Sequence, residues 1–204
     1  ENEISIWHSV PSLFRSVWRS YRNQVDLPSL RYVVLGGEAV REDDLLLCNN
    51  KLGDVSLYNL YGQTETSYSC GRIVRASKEA RYVGKPVYNT RLLVGCKDGK
   101  VKVVDNKGIT EQEECSVLKN CFIEEGELLV NSEFIAKCYW GNDELTKKVF
   151  LHSPILGKVY RTGDFVDFDD SGKMFFIGRR DNQIKVNGYR VELGEIESKI
   201  LMID

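Results

Sequence analysis

Apolar and polar positions in the first part of the chain alternate between the spacing of strands and that of helices. Short apolar runs predict strands within residues 4–10, 30–37 and 55–62. Apolar residues recur at helical spacing after Pro11, and residues 42–52 form a second helical pattern. This rhythm of strand, helix, strand, helix and strand predicts an α/β fold, a parallel sheet with helices packed on it.

After residue 80 the pattern changes to short strands without long helical stretches between them. Glycine turns at residues 98–99 and 107–108 predict hairpins, and further strand patterns fill residues 126–140 and 158–179. We therefore expect a mainly antiparallel region, similar to a small β-barrel, over residues 81–180.

The last part of the chain predicts a hairpin after Asp181 and then a helix that begins near Gly194. Because the chain stops in or just after that helix, we expect it to be part of a longer protein.

Composition excludes several classes of partner. Apolar residues make up 42% of the chain and charged residues 28%, an ordinary globular balance. The net charge is −2, with acids and bases interspersed, which argues against a nucleic-acid partner held through its phosphates. No apolar run approaches the ~20 residues of a membrane span. The N-terminal residues lack the basic start and apolar stretch of a signal peptide, so we expect no membrane association.

The cysteines point to a reducing compartment. The chain has six cysteines and two histidines, and no two cysteines form a CxxC pair, so a zinc site is not expected. The chain is also too large and too poor in cysteine for a disulfide-dependent scaffold. We therefore predict reduced, mostly buried thiols and a cytoplasmic location.

Two strand ends contain residues that suit a phosphate ligand. In LGGEAV (35–40) two glycines end a strand and would let a ligand approach the backbone, although a tight turn explains them equally well. In NLYGQTE (59–65) Tyr61 offers a flat face, Thr64 a hydroxyl for phosphate and Glu65 a carboxylate for a hard cation. The alternative is a solvated turn capped by Thr64 and Glu65.

Two later stretches add further candidates. In YRTGDF (160–165) Gly163 permits a turn, and the Asp164 carboxylate could accept both hydroxyls of a ribose. In GRRDNQIKVNGYR (178–190) Arg179 and Lys185 flank a predicted hairpin. By themselves these are an ordinary turn and an ordinary solvated hairpin.

Together and in this order, the motifs resemble those of adenylate-forming enzymes. GEL followed by YWGNDELTKKVF, and the long stretch GRRDNQIKVNGYRVELGEIE, belong to the same resemblance. It runs from about Ile6 to the last residue and is greatest for the adenylation domains of nonribosomal peptide synthetases. It implies ATP- and Mg²⁺-dependent activation of a carboxylic acid, most simply an amino acid, to an acyl-adenylate. It also implies transfer to the phosphopantetheine thiol of a carrier protein domain, with the rest of the parent synthetase as a further partner.

The resemblance implies a role for individual residues. Those implied to contact the nucleotide are Gly36, Gly37, Glu38, Asn59, Tyr61, Gly62, Thr64, Asp164 and Arg179. Those implied to line the acyl-substrate pocket are His8, Val34, Gly36, Leu60, Tyr68 and Ser69. Those implied to serve catalysis are Thr64, Glu65 and Lys185, with Glu65 as the Mg²⁺ ligand. Asp181 matches the hinge, and Lys185 and Gly188 match a loop that faces the active site during thiol transfer.

The resemblance also implies a division of the chain. Residues 1–180 would be the C-terminal part of the large adenylation subdomain, α/β over residues 1–80 and mainly β over residues 81–180. Residues 181–204 would be the hinge and the start of the small C-terminal subdomain.

Departures from the family pattern leave alternatives open. Gln63 replaces the proline usual in peptide synthetases, whereas acyl-CoA synthetases often have other residues there, glutamine among them. An acyl-CoA or aryl-CoA ligase with coenzyme A as acceptor is therefore a second hypothesis. The family's phosphate loop should lie upstream of residue 1 and its catalytic lysine downstream of residue 204. We therefore expect these 204 residues alone to be inactive. A non-catalytic domain that retains the fold is the third hypothesis.

Overall fold

The computed structural model describes residues 3–97, 100–113, 123–179, 183–186 and 189–192, together with positions 196 and 200. The chain divides into two compact units that interleave along the sequence. The first consists of Glu1–Leu60, Arg72–Tyr82 and Arg179–Asp204, and the second of Tyr61–Gly71 and Val83–Gly178. The predicted hairpin turn at 98–99, the hinge residue Asp181 and the helix near Gly194 fall outside the described residues.

The first unit contains the predicted alternation of strands and helices. Its elements are β1 (Ile6–Ser9), α1 (Pro11–Arg19), β2 (Tyr32–Gly36), α2 (Glu42–Leu52), most of β3 (Ser56–Gln63), a 3₁₀ turn (Ser77–Glu79), β13 (Gln183–Val186) and β14 (Tyr189–Glu192). β1, β2 and β3 run parallel in that order, with Ser9 beside Leu35 and Leu35 beside Asn59. The parallel sheet is thus confirmed, and β13 and β14 form a separate antiparallel pair.

Helix α1 begins at Pro11, whose fixed φ and missing N–H suit a first helical position. Phe14 and Trp18 are four residues apart and therefore share a face, and both side chains are buried. They pack with Val33 and Leu35 of β2 in one apolar core. The apolar residues that recur at helical spacing in the sequence thus form the face of α1 that covers the parallel sheet.

Helix α2 is fixed at both ends by local chemistry. The Asp44 carboxylate accepts the N–H of Arg41 at 2.8 Å, which satisfies a backbone donor that the helix leaves unpaired. The same carboxylate accepts a hydrogen bond from Nε of Arg15 at 2.7 Å, and this contact raises the pKa of the Arg15 guanidinium. At the other end the chain leaves the helix at Gly53, which has a φ of 66° and donates its N–H to Asn49.

The second unit is mainly antiparallel, as predicted. Its elements are β4 (Ser67–Val74, whose last three residues belong to the first unit), β5 (Lys85–Pro86), β6 (Thr90–Gly95), β7 (Lys100–Asp105), β8 (Gly108–Glu113), β9 (Glu127–Ser132), α3 (Asp143–Val149), β10 (Phe150–Ser153), β11 (Gly157–Phe168) and β12 (Met174–Arg179). Six strands lie in the order β10-β11-β9-β6-β7-β8, and β12 pairs with β11. Among the described strands this sheet is open, and it does not close into a barrel.

Both faces of this sheet are apolar. Leu92 and Val94 of β6 point to one core, and Leu93 between them points to the other. Strand β9 alternates in the same way, with Leu128 in the first core and Leu129 in the second. Continuous apolar runs rather than strict alternation are what a sheet covered on both faces requires.

Four of the six cysteines lie in the part of the chain that the structure describes, and none of those four forms a disulfide: Cys48, Cys70, Cys96 and Cys138. Cys48 and Cys70 are fully buried. Burial raises the pKa of the Cys48 thiol to about 12 and raises that of Cys70 as well, so both remain protonated at neutral pH.

Candidate functional site

Four of the six residues expected to line the substrate pocket share one face of the parallel sheet. His8 lies directly beside Val34, and Gly36 directly beside Leu60. Val34 and Gly36 are two residues apart, so all four positions have the same orientation. Leu35 and Leu57 point to the opposite face, into the apolar core. The expected pocket residues therefore occupy the face that this core leaves uncovered.

The other two expected pocket residues lie on β4 in the second unit. Tyr68 is exposed, whereas Ser69 is fully buried. The Ser69 hydroxyl donates to Oγ1 of Thr66 at 3.1 Å, so this side chain takes part in the turn between β3 and β4.

The chain bends sharply at Gly37, directly after the last residue of β2, Gly36. Gly37 has a φ of 85°, a conformation that glycine adopts without strain. Glu38, expected near the nucleotide, directs its two carboxylate oxygens to the N–H and the hydroxyl of Ser12, at 2.9 and 2.8 Å. Ser12 is in the first turn of α1, where an anion is favoured by the exposed N–H groups. Both oxygens of Glu38 therefore contact the start of a helix.

Asn59 also has structural contacts. Its side chain is buried, and its amide donates to the carbonyls of Ala80 and Tyr82 at 3.4 and 3.2 Å. It faces the opposite side of the sheet from Leu60, because successive strand residues alternate. The structure therefore places Asn59 away from the face shared by the expected pocket residues.

The turn that follows β3 is tight. A Cβ atom on Gly62 would lie 2.1 Å from the carbonyl oxygen of Ser67, so no side chain fits there. Thr64 is exposed at the tip, and Thr66 closes the turn with an N–H to the carbonyl of Gln63 at 3.1 Å. The exposed Thr64 hydroxyl is placed where a ligand can reach it.

Asp164 lies at an irregularity in a strand. The sequence predicts a turn at Gly163, but this glycine lies inside the long strand β11, at a φ of 73° where the pairing with β9 shifts register. Thr162 holds the irregular stretch, because its hydroxyl donates to the carbonyl of Leu128 at 2.6 Å and accepts the N–H of Asp164 at 3.0 Å. A bulge re-aims the side chains beside it, here that of Asp164.

Tyr61, Gln63 and Asp164 come together in the second unit. The Tyr61 hydroxyl donates to Oδ2 of Asp164 at 2.5 Å, and the Gln63 amide donates to the same oxygen at 2.8 Å. Tyr61 and Gln63 are two residues apart on β3 and so share a face. Burial raises the pKa of Tyr61 well above its usual value, and the negative charge of Asp164 raises it further. Tyr61 therefore stays a neutral hydrogen-bond donor.

Glu65 belongs to a second cluster in the same unit. Its side chain is 5% exposed, and its Oε1 accepts the hydroxyl of Tyr139 at 2.6 Å. The Tyr139 hydroxyl lies 3.4 Å from that of Tyr160, and Phe150 packs against both rings. Helix α3 fixes Tyr139, because Thr146 accepts its backbone N–H at 3.0 Å. Glu65 is thus held by a residue 74 positions later in the chain.

The remaining expected residues lie elsewhere or outside the described part. Arg179 is half-buried at the end of β12 and belongs to the first unit. Lys185 is on β13, but its side chain is not described, and Asp181 and Gly188 are not described at all. Within the described residues no three or more histidine, cysteine or acidic side chains form a cluster that could hold a metal. No helix among them is long and apolar enough to span a membrane.

A family model of AMP-binding enzymes matches residues 1–140 of this chain. The chain belongs to the AMP-binding enzyme family.

Three proteins illustrate what this chain is similar to. The delta-poly-L-ornithine synthetase of Acinetobacter baumannii (strain AB307-0294) is 32% identical over 209 residues, which cover 100% of this chain and 14% of that protein. Holo-PA1221, a nonribosomal peptide synthetase protein with adenylation and PCP domains bound to a vinylsulfonamide inhibitor, has a TM-score of 0.73 and 25% identity, over 98% of this chain and 33% of that one. The Vibrio cholerae adenylation domain AlmE, in complex with glycyl-adenosine-5'-phosphate, has a TM-score of 0.73 and 26% identity, over 96% of this chain and 35% of that one.

These similarities confirm the mixed α/β fold and the resemblance to nonribosomal peptide synthetase adenylation domains. This AMP-binding enzyme chain spans only a minor part of each protein that it resembles.

Tyr139 is not among the site residues that the sequence of this AMP-binding enzyme predicts. Its motif, YWGNDELTKKVF, contributed to the resemblance, but no role was assigned to any of its side chains. The only available signal was a tyrosine just before the Asn142 cap of a helix whose first turn is acidic. That signal marks a helix start, and it does not reveal a partner far back in the chain.

Proposed function

We propose that this chain is part of an adenylation domain that activates a carboxylic acid with ATP. By similarity to nonribosomal peptide synthetases the acid is an amino acid, and the acceptor is the phosphopantetheine thiol of a carrier protein domain. The observation that supports this most strongly is the convergence of Tyr61, Gln63 and Asp164, which brings an aromatic ring and a held carboxylate together. Such a pair suits the base and the ribose of AMP.

The proposed nucleotide contacts follow from these positions. Tyr61 presents its ring to adenine while its hydroxyl holds Asp164, and Asp164 accepts hydrogen bonds from the ribose hydroxyls. Gly62 keeps the backbone bare beside the turn, and Thr64 at its tip donates to a phosphate. Gly36, Gly37 and Arg179 remain proposed contacts in the first unit. Glu38 and Asn59 would support that site through the backbone that they hold in place.

Glu65 is the proposed magnesium ligand. Its carboxylate is held through one oxygen by a neutral phenol, and a magnesium ion in enzymes of this kind takes one or two carboxylates together with substrate phosphates. The residues present therefore fit the ion. When bound, magnesium would offset negative charge on the phosphate oxygens.

The chemistry requires positioning rather than a nucleophilic side chain. A substrate carboxylate oxygen attacks the α-phosphorus of ATP, the bond to the β-phosphate breaks and pyrophosphate leaves. Charge develops on the phosphoryl oxygens, and hydrogen-bond donors near them stabilise it, a role that we assign to Thr64 and Lys185. Gly36 leaves room for the acid on the sheet face that Val34 and Leu60 share.

An acyl-CoA or aryl-CoA ligase is the second candidate. Gln63 favours it, because its amide occupies a position where peptide synthetases usually have proline and makes two hydrogen bonds that proline cannot make. A cytoplasmic location accords with either activity and with the free thiols of the described cysteines. The two candidates differ in the acceptor, coenzyme A or a carrier domain.

The test is ATP–pyrophosphate exchange by the full-length protein with a panel of amino, aryl and fatty acids. We expect exchange with one amino acid and a strong loss in the Glu65→Gln variant. Transfer of the activated acid to coenzyme A, in place of a carrier protein, would establish the second candidate. No exchange with any acid by folded protein in the presence of magnesium would contradict the proposed activity and favour a non-catalytic domain.

A further inference from the structure

Gln63 makes two contacts with one irregular stretch of β11. Its Nε2 donates to the carbonyl oxygen of Thr162 at 3.1 Å and to Oδ2 of Asp164 at 2.8 Å. Both acceptors belong to residues that are almost fully buried. The amide thus joins the end of β3 to the two residues on either side of Gly163, across 99 and 101 positions of sequence.

The orientation of this amide is set by its partners. A carbonyl and a carboxylate are both acceptors, so only the NH₂ end of the side chain can face them. The opposite end, Oε1, is buried and accepts no hydrogen bond within the described residues. A buried polar atom without a partner is unfavourable and rare in folded proteins, so its presence requires an explanation.

An apolar side chain of similar size would avoid this unpaired oxygen. It would also leave the buried carbonyl of Thr162 and the buried carboxylate of Asp164 with one donor fewer. The contact with Asp164 is therefore the one that explains an amide at position 63. Tyr61 fixes the same Oδ2 from one direction, and Gln63 fixes it from a second. Two donors on one oxygen restrict rotation of the carboxylate, which reduces the freedom that it would lose when it binds a ligand.

We propose that Gln63 is a positioning residue for the ribose of the nucleotide and acts through the Asp164 carboxylate. This inference rests on the proposed function, in which Asp164 accepts the ribose hydroxyls. It adds that ribose recognition in this protein depends on an amide at position 63.

The experiment compares AMP with 2′,3′-dideoxy-AMP, which lacks both ribose hydroxyls, by calorimetric titration of the full-length protein. Gln63→Leu removes the amide and keeps an apolar side chain of similar size. We expect it to weaken AMP binding by about five- to tenfold and to leave dideoxy-AMP binding unchanged. The melting temperature should fall, because two buried acceptors lose a donor, and the comparison of the two ligands separates this loss of stability from the loss of ribose binding. Gln112→Leu makes the same change at an exposed position of β8 and should alter neither affinity. Gln63→Met repeats the test with an unbranched side chain.

The possible results are distinguishable. Equal losses for both ligands would mean a general structural role, and no loss for either would mean no role, so each of these results overturns the proposal. If the unaltered protein binds AMP and dideoxy-AMP equally well, Asp164 does not bind ribose. That result would contradict the proposed function and this inference with it.

Discussion

Two aspartates, one in each unit, are buried to a similar extent but are held by different kinds of donor. Asp44 is 0% exposed and accepts the charged guanidinium of Arg15 at 2.7 Å, beside the start of α2. Asp164 is 4% exposed and accepts the neutral hydroxyl of Tyr61 and the neutral amide of Gln63. A guanidinium offsets the charge of a carboxylate, whereas neutral donors fix its direction without offsetting its charge. The contact with a guanidinium suits a carboxylate that stabilises a helix. The contacts with neutral donors suit a carboxylate that binds a ligand.

Of the changes that test this comparison, we expect the loss of the Asp44 charge to have the largest effect, a loss of protein stability. Asp44→Asn should lower the free energy of unfolding by about 3 kcal/mol, the low end for breaking a buried ion pair, because Arg15 keeps some contact with solvent. Denaturant unfolding followed by circular dichroism measures this change.

The same variant should leave the affinity for AMP unchanged when it is measured well below its melting temperature. Arg15→Leu is the partner control and should be similarly destabilised. An Asp44→Asn protein as stable as the unaltered one, or one that loses AMP binding while folded, would contradict the structural role of this aspartate.

The next effect concerns Glu65 and Tyr139. Tyr139→Phe removes only the hydroxyl that holds the Glu65 carboxylate, a hydrogen bond to a charged group worth about 1.5–3 kcal/mol. We expect the magnesium concentration that half-saturates ATP binding to rise about tenfold. Titration of magnesium against protein with ATP, followed by calorimetry, measures it. Tyr88→Phe, a change at a 78% exposed tyrosine, is the matched control and should have no effect.

The smallest effect is the contribution of Tyr61 to stability at high pH. Its pKa in the folded protein is raised above the ordinary 10.0, so its contribution is fully present below pH 10 and is lost as pH rises towards the folded-state pKa. The free energy of unfolding of the unaltered protein should therefore fall more steeply above pH 10 than that of Tyr61→Phe. Parallel pH profiles for the two proteins would show that Tyr61 is not a neutral buried donor.

Elements built from local patterns were predictable. Helix α2 spans Glu42–Leu52, the bounds expected from the sequence, because an acidic first turn and Gly53 mark its ends locally. The parallel order of β1, β2 and β3 follows from short strands separated by helices. The turn at 107–108 is confirmed, since Asp105 accepts the N–H groups of both residues.

Features that depend on distant residues were not predictable in detail. Gly163 was expected in a loop, because a Gly-Asp pair usually marks a turn, but pairing with β9 keeps it in a strand as an irregularity. The open form of the antiparallel sheet depends on which edge strands meet, and local spacing does not determine that. The contact between Tyr139 and Glu65 spans 74 residues, so no local pattern contains it.

An AMP titration of the full-length protein and its Asp164→Asn variant tests whether Asp164 binds the ribose of an adenine nucleotide. Asparagine keeps the size of the side chain and removes its charge. We expect the variant to remain folded and to bind AMP about ten- to a hundredfold more weakly, the effect of losing hydrogen bonds to a charged group. Equal affinity of the two folded proteins for AMP would contradict it.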